Sequence, residues 1–361
     1  MKLIIKALRV FKSIFELMYS KLIVAELIIR QHIFKQVFLF RLGGFGDLLL
    51  FIIYCKRYHQ NLKYLNLGSV QGNILNTFVE KKKIINIFFK IPHYRFYYPI
   101  FFLVLRSRYI KKIKINFKKL QDIKNTKKIK NYILRSTKKK NLVNNHKYLN
   151  SKLSKKYICF FVKDLVDENY NWIDSIGTKY SYSSEKNKIM KILYFLIKKK
   201  INILILGDNE GGTNFLHAKI KNNKNFANKI FFIRDYVKYF DIDNKIILYN
   251  NSMGFIGNGS GHCEYFYFLR KKTIIFDYLE SVRVNKSEYD SLNKNLRKVL
   301  IKKIVEKKTK KRLSIKFLCK IILNLLSNNK IFNKFYKKKY IIQSNNIIEI
   351  RNTIKKFFII K

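Results

Sequence analysis

The stretch Phe255-Ile256-Gly257-Asn258-Gly259-Ser260-Gly261-His262 constrains the fold more than any other part of this chain. An apolar run enters a glycine-rich turn, and a short helix expected over 263–269 and a second apolar strand over 273–276 follow. A strand that ends in glycines and opens a helix brings bare backbone N–H groups and a helix N-terminus to one point. That geometry holds a phosphate or another anion. A second glycine turn, Arg41-Leu42-Gly43-Gly44-Phe45-Gly46-Asp47, follows another apolar run, Gln36–Arg41, far earlier in the chain. Two such units in 361 residues predict two α/β domains facing each other across a cleft.

The pattern between the two turns supports this. Helix is expected over 47–58, and strands over 64–67, 84–89, 157–162, 201–206 and 230–233. A helix over 185–198 carries Ile189, Ile192, Leu193, Leu196 and Ile197 on one face. Short strands apolar on both faces and alternating with helices mean a parallel sheet, whose ligands bind beyond the carboxyl ends of its strands. Lys163-Asp164, Gly207-Asp208 and Asn258 to His262 all fall at that edge. Residues 107–156 hold eighteen Lys or Arg against one acid, Asp122, and read equally as charged surface helices or a mobile linker. The tail reads as helices over 314–326 and 346–358 joined by low-complexity Asn and Lys. The resulting division is 1–30 amphipathic helix, 31–153 first domain with the basic linker, 154–330 second domain, and 331–361 helical tail.

A formal charge of +54 invites a nucleic-acid reading. Yet Lys, Ile and Asn are enriched everywhere, as in Lys138-Lys139-Lys140, rather than concentrated on one element with interleaved aromatics. Genome composition plus attraction to an anionic membrane surface accounts for the charge, and nucleic acid is not expected as a partner. Cys55, Cys159, Cys263 and Cys319 are far apart and read as buried free thiols in a reducing cytoplasm. No metal is expected. No run reaches the roughly 18 apolar residues of a membrane span. Ile4, Ile5, Leu8, Phe11, Ile14, Phe15 and Met18 instead recur at helical spacing between Lys2, Lys6, Arg9 and Lys12. Such a helix lies in a membrane interface or packs on the first domain. The expected location is the cytoplasm, peripheral on the inner face of the membrane.

Each glycine turn alone is weak evidence. Gly43, Gly44 and Gly46 have the wrong spacing for a dinucleotide fingerprint, and neither turn has the Lys-Ser/Thr ending of a P-loop. No cofactor is expected. Asp47 is either a first-turn carboxylate that stabilises its helix or a general base. Ser260 and His262 are candidates to bond a phosphate, and Glu264 to reach a sugar hydroxyl.

Tyr157-Ile158-Cys159-Phe160-Phe161-Val162-Lys163-Asp164 resembles the "YVCFHVRD" opening of a family of bacterial glycosyltransferases from surface-polysaccharide loci. Tyr182 through Gly207, and Phe255 to Gly261 with Arg270 to Phe276, resemble that family's following segments, so the likeness spans about 155–320. Arg41 to Leu49 is similar to the "RLGSLGDVLL" segment of lipopolysaccharide heptosyltransferases. The resemblance implies the glycosyltransferase B fold, with two Rossmann-like domains and the site between them. It also implies a nucleotide-diphosphate sugar held by the second domain through Lys163, Asp164, Gly207, Asp208, Asn258, Gly259, Ser260, Gly261, His262 and Glu264. A lipid-linked or polysaccharide acceptor would then lie on the side of Arg41, Gly43, Gly44 and Gly46, with Asp47 as base. Several positions depart from the pattern: Lys163 replaces Arg, Asn258 replaces Thr, Gly259 replaces Asp, and His262 stands where Leu is usual. The nearer family often has Gly-His where this chain has Gly46-Asp47. A nucleic-acid-binding protein and a non-catalytic sugar-nucleotide-binding protein are the competing readings.

Overall fold

The computed structural model describes residues 2–34, 45–60, 62–66, 75–86, 88, 100, 103, 104, 106–108, 128–137, 153, 156–168, 170, 183–207, 210–221, 223, 225, 226, 228–237, 241–259, 261–279, 295–326 and 330–359. The chain divides into two units, Met1–Lys140 with Phe240–Asp243, and Asn141–Tyr239 with Asn244–Lys361.

The first unit opens with one uninterrupted helix, α1 (Lys2–Phe34). Its Ser20, Ile23, Val24 and Leu27 are buried, and Glu26 pairs with Arg30 one turn on at 2.7 Å. Helix α2 (Phe45–Tyr58) buries Leu48, Leu49, Phe51, Ile52, Tyr54 and Cys55. It ends on Lys56 and Arg57, cations that suit the negative end of the helix dipole. Strands β1 (Tyr64–Asn66) and β2 (Ile84–Asn86) pair in parallel, Tyr64 against Ile84. Helix α3 (Lys128–Thr137), inside the basic stretch, buries Ile129, Ile133 and Thr137. That stretch is therefore helical over 128–137, and its apolar residues are the reason. The strand expected over 36–41 lies outside the described residues.

The second unit is built on six parallel strands: β3 (Tyr157–Phe161), β6 (Asn202–Ile205), β7 (Ile230–Phe232), β8 (Gly254–Gly257), β9 (Lys272–Tyr278) and β10 (Arg297–Ile301). Their order is β10-β9-β8-β3-β6-β7. A short parallel pair, β4 (Leu165–Val166) and β5 (Ser184–Glu185), stands beside this sheet. The α/β class expected from the sequence is the class observed.

Side chains alternate between the two faces of a strand. Ile158, Phe160, Ile203, Ile205, Ile256, Ile274 and Phe276 share one buried cluster with α4 (Lys186–Lys198), α5 (Gly211–Lys221) and the last helix. On the other face, Phe255 meets Phe266 at 5.1 Å between ring centres, and Phe266 meets Tyr249 at 4.7 Å. Tyr249 belongs to α6 (Ile242–Asn251) and Phe266 to α7 (Gly261–Phe268). Covered on both sides, β3, β6, β7 and β8 are buried along their whole length, whereas the edge strand β10 is only partly so. Cys55, Cys159 and Cys263 are free and buried, and burial pushes the Cys55 thiol up to about 12.

From Lys330 to Gln343 the segment expected to be a low-complexity linker forms a helix and a strand. Helix α8 (Ile315–Leu326) is followed by α9 (Lys330–Lys339) and β12 (Tyr340–Gln343), which pairs antiparallel with β11 (Lys303–Glu306). Tyr336, Tyr340 and Ile342 pack with Ile304, Leu318 and Ile321 in a second small core. Helix α10 (Ile347–Phe358) begins on Asn346, whose side chain accepts from the Ile348 N–H at 2.8 Å.

Candidate functional site

After β3 the chain steps outward through α4, β6, α5 and β7, then returns to lay β8 on the opposite side of β3. The strand order therefore reverses between β3 and β8. In open parallel sheets the crevice beyond such a reversal is where ligands bind. Lys163 and Asp164 leave β3 there, and Asn258 to Gly261 leave β8. The two exits touch: the Asn258 N–H donates to the Phe161 carbonyl at 3.0 Å. Gly257 is required at this point, because a Cβ would fall onto that same carbonyl oxygen.

The other candidates are placed as follows. Lys163 and Asp164 are half-buried. The Lys163 carbonyl accepts from Gly212 N–H at 2.9 Å, and a Cβ on Gly211 would lie 2.8 Å from an Asp164 carboxylate oxygen. Asp164 thus stands at the N-terminus of α5, where its charge satisfies the helix dipole and opposes a second anion. Gly207 has φ +99°, and the space beside it is filled by Glu210 and Thr213. Gly259 is half-buried and Gly261 is the first residue of α7. Gly46 and Asp47 lie in the first turn of α2. Arg41, Gly43, Gly44, Asp208 and Ser260, and the side chain of Asp47, lie outside the described residues.

His262 is half-buried, with its ring 4.8 Å from that of Phe161 and its Nδ1 3.1 Å from the Tyr249 hydroxyl. Burial, aided by Lys245, pulls its pKa down to about 3, so the imidazole is neutral near pH 7. A neutral imidazole pairs with the Tyr249 hydroxyl through Nδ1 as acceptor, with the proton on Nε2, or as donor, with the proton on Nδ1. Glu264 bonds Arg297 at 3.1 Å. Burial opposes the charge of Arg297, but Glu264 more than offsets this and its pKa is raised. Glu264, expected to reach a sugar hydroxyl, thereby commits one carboxylate oxygen to β10.

Asn258 departs furthest from expectation. Its side chain, expected at the ligand, is fully buried and turned inward, and Nδ2 donates to Ser184 Oγ at 2.9 Å. Ser184 Oγ donates in turn to Asp277 Oδ2 at 2.6 Å, and Lys188 Nζ approaches the same oxygen at 2.5 Å. Asp277 Oδ1 accepts from Asn345 N–H, and Asn345 Oδ1 accepts from Asp277 N–H, both at 2.7 Å. Lys302, 1% exposed, donates to the Ser183 carbonyl at 3.1 Å. Burial lowers the Lys302 pKa to about 7; Asp277 resists this and Lys188 reinforces it. Among the described residues, Ser183 Oγ and Asn258 Oδ1 have no hydrogen-bond partner.

This nest lies directly under the glycine turn, and sequence reasoning missed most of it. Two residues of β9, Phe276 and Asp277, face one of β10 between the Ile275–Val299 and Tyr278–Ile301 pairs. Such a bulge re-aims a side chain, and Asp277 adopts φ +51° there. The available signal was an aspartate directly after the apolar run 273–276.

Asp241-Ile242-Asp243, an Asp-x-Asp string in the sequence, straddles the start of α6, with Asp243 buried in its first turn. Among the described residues, no group of three or more His, Cys, Asp or Glu side chains is placed to hold a metal.

No protein-family model matches the chain, and no curated protein matches it. Among solved structures it is similar to the UDP-GlcNAc 2-epimerase of Methanocaldococcus jannaschii, at 13% identity and a TM-score of 0.35, over 80% of this chain and 78% of that one. The same organism's enzyme in complex with UDP-GlcNAc and UDP gives 11% and 0.30, over 86% and 79%. The wall teichoic acid polymerase TagF gives 11% and 0.26, over 90% and 89%. At such values the functional argument rests on the site itself.

Proposed function

We propose that this chain is a glycosyltransferase that moves a sugar from a nucleotide-diphosphate donor to a hydroxyl of a lipid-linked or surface-polysaccharide acceptor. One observation carries the reading: the glycine turn opening α7 stands at the point where the strand order reverses, between β8 and β3. The resemblance of residues 155–320 to surface-polysaccharide glycosyltransferases supports it.

In this reading the diphosphate lies against the amides of Gly259, Ser260 and Gly261, with Lys163 and the Nε2–H of His262 as side-chain donors. Asn258 and Glu264 act from behind, the first through Ser184 and the second through Arg297. The acceptor oxygen bonds to the anomeric carbon as the bond to the diphosphate oxygen breaks. The electron pair leaves with the diphosphate, Asp47 takes the acceptor's proton, and configuration inverts. Charge growing on the leaving group is met by preorganised dipoles and by Lys163.

Calorimetric titration with uridine, guanosine and adenosine diphosphates tests the reading. One of them binds saturably, and Ser260→Trp abolishes that binding. Asp47→Asn removes transfer and leaves donor binding intact. If Ser260→Trp leaves nucleotide binding unchanged, the assignment fails.

A further inference from the structure

Helix α1 buries one side and displays the other. At 3.6 residues per turn, Phe11, Ile14, Phe15, Met18, Leu22, Ile29 and Ile33 fall within an arc of about 100°. The buried Ser20, Ile23, Val24 and Leu27 occupy the opposite side. The displayed residues are well exposed: Phe11 72%, Phe15 63%, Met18 62% and Ile33 66%. A row of large apolar side chains along one helix is far more contiguous than the scattered apolar exposure of an ordinary surface.

We infer that this row is a docking surface for an anionic lipid bilayer, with α1 lying in the plane of the interface. The inference is independent of the transfer reading. Charge selects the occupant. The first twelve residues of the chain carry Lys2, Lys6, Arg9 and Lys12 and no acid, and the exposed Lys12 and Lys21 border the row on either side. Basic residues flanking an apolar face are drawn to anionic headgroups while the face enters the acyl boundary. A second copy of the chain would bring the same +54 charge against itself. No helix among the described residues is long and apolar enough to cross a membrane, so α1 rests on the surface rather than spanning it.

The test is co-sedimentation of the full chain with vesicles of phosphatidylcholine, with and without phosphatidylglycerol. The chain binds the anionic vesicles. The variant Phe11→Ser/Phe15→Ser/Met18→Ser keeps every charge and binds at least about tenfold more weakly, because three exposed side chains no longer leave water on insertion. Lys12→Glu/Lys21→Glu weakens binding at low salt and leaves the thermal melt unchanged. Equal binding by the triple-serine variant overturns the inference, since charge alone would then account for adhesion. Equal binding to neutral vesicles also overturns it. So does a dimer in sedimentation equilibrium that the triple-serine change dissociates, for the row would then belong to a second copy.

Discussion

The middle of the parallel sheet and its carboxyl edge lie a few residues apart on the same strands and are built on opposite principles. In the middle, Ile158, Phe160, Ile203, Ile205 and Ile256 are fully buried and pack with other apolar side chains in one cluster. At the edge, Asn258, Ser184, Asp277, Lys188, Asn345 and Lys302 are buried just as deeply, yet are joined by hydrogen bonds and an ion pair. An apolar core gains from every contact and has no preferred partner. A buried polar nest gains little net stability, but it imposes one geometry, because each lost partner strands another group away from water. The contrast teaches that the edge holds the glycine turn in place, whereas the middle holds the sheet together.

Breaking the nest gives the largest effect. Asp277→Ala leaves Lys188 and Lys302 buried without their carboxylate and lowers unfolding free energy by about 3–5 kcal/mol in urea titration. Asp277→Leu with Lys188→Met recovers most of that loss but leaves nucleotide diphosphate bound more weakly, which separates stability from placement of the turn. Recovery of both would remove the distinction between edge and middle.

Lys302 supplies a pH signature that the apolar middle lacks. Its pKa is about 7 when folded, against 10.5 ordinarily. The unfolded chain therefore holds more protons across that interval, and stability rises with pH from about 7 upward. Below about 7 the residue is charged in both states and adds no slope. Lys302→Met flattens the rise in urea midpoints measured across the interval.

Ser184→Ala, which leaves Asn258 Nδ2 only its 3.4 Å contact with the Phe276 carbonyl and removes one contact of Asp277, costs about 1–3 kcal/mol and weakens diphosphate binding. Ile256→Val in the middle costs about 0.5–1.5 kcal/mol and leaves diphosphate affinity as it was. A change of affinity in Ile256→Val equal to that in Ser184→Ala would sink the comparison.

How far the sequence carried depended on how local the physics is. The runs 157–162 and 201–206 and the helix face of Ile189, Ile192 and Leu196 were legible because burial on a strand or helix imprints its own period on neighbouring residues. The Asn/Lys segment after α8 misled because Tyr336, Tyr340 and Ile342 find their apolar partners near residues 304 and 321, outside any local window. Asn258 was legible as a turn residue, but not as one that faces inward. By itself, then, the sequence determined the α/β alternation, the glycine turn and the edge at which candidate residues gather, since each follows from backbone freedom and local periodicity. Only the tertiary structure decided that Ser184, Lys188, Asn258, Asp277, Lys302 and Asn345 meet under that turn. Buried hydrogen bonds and ion pairs join groups by proximity in space, and spacing along the chain carries no mark of them.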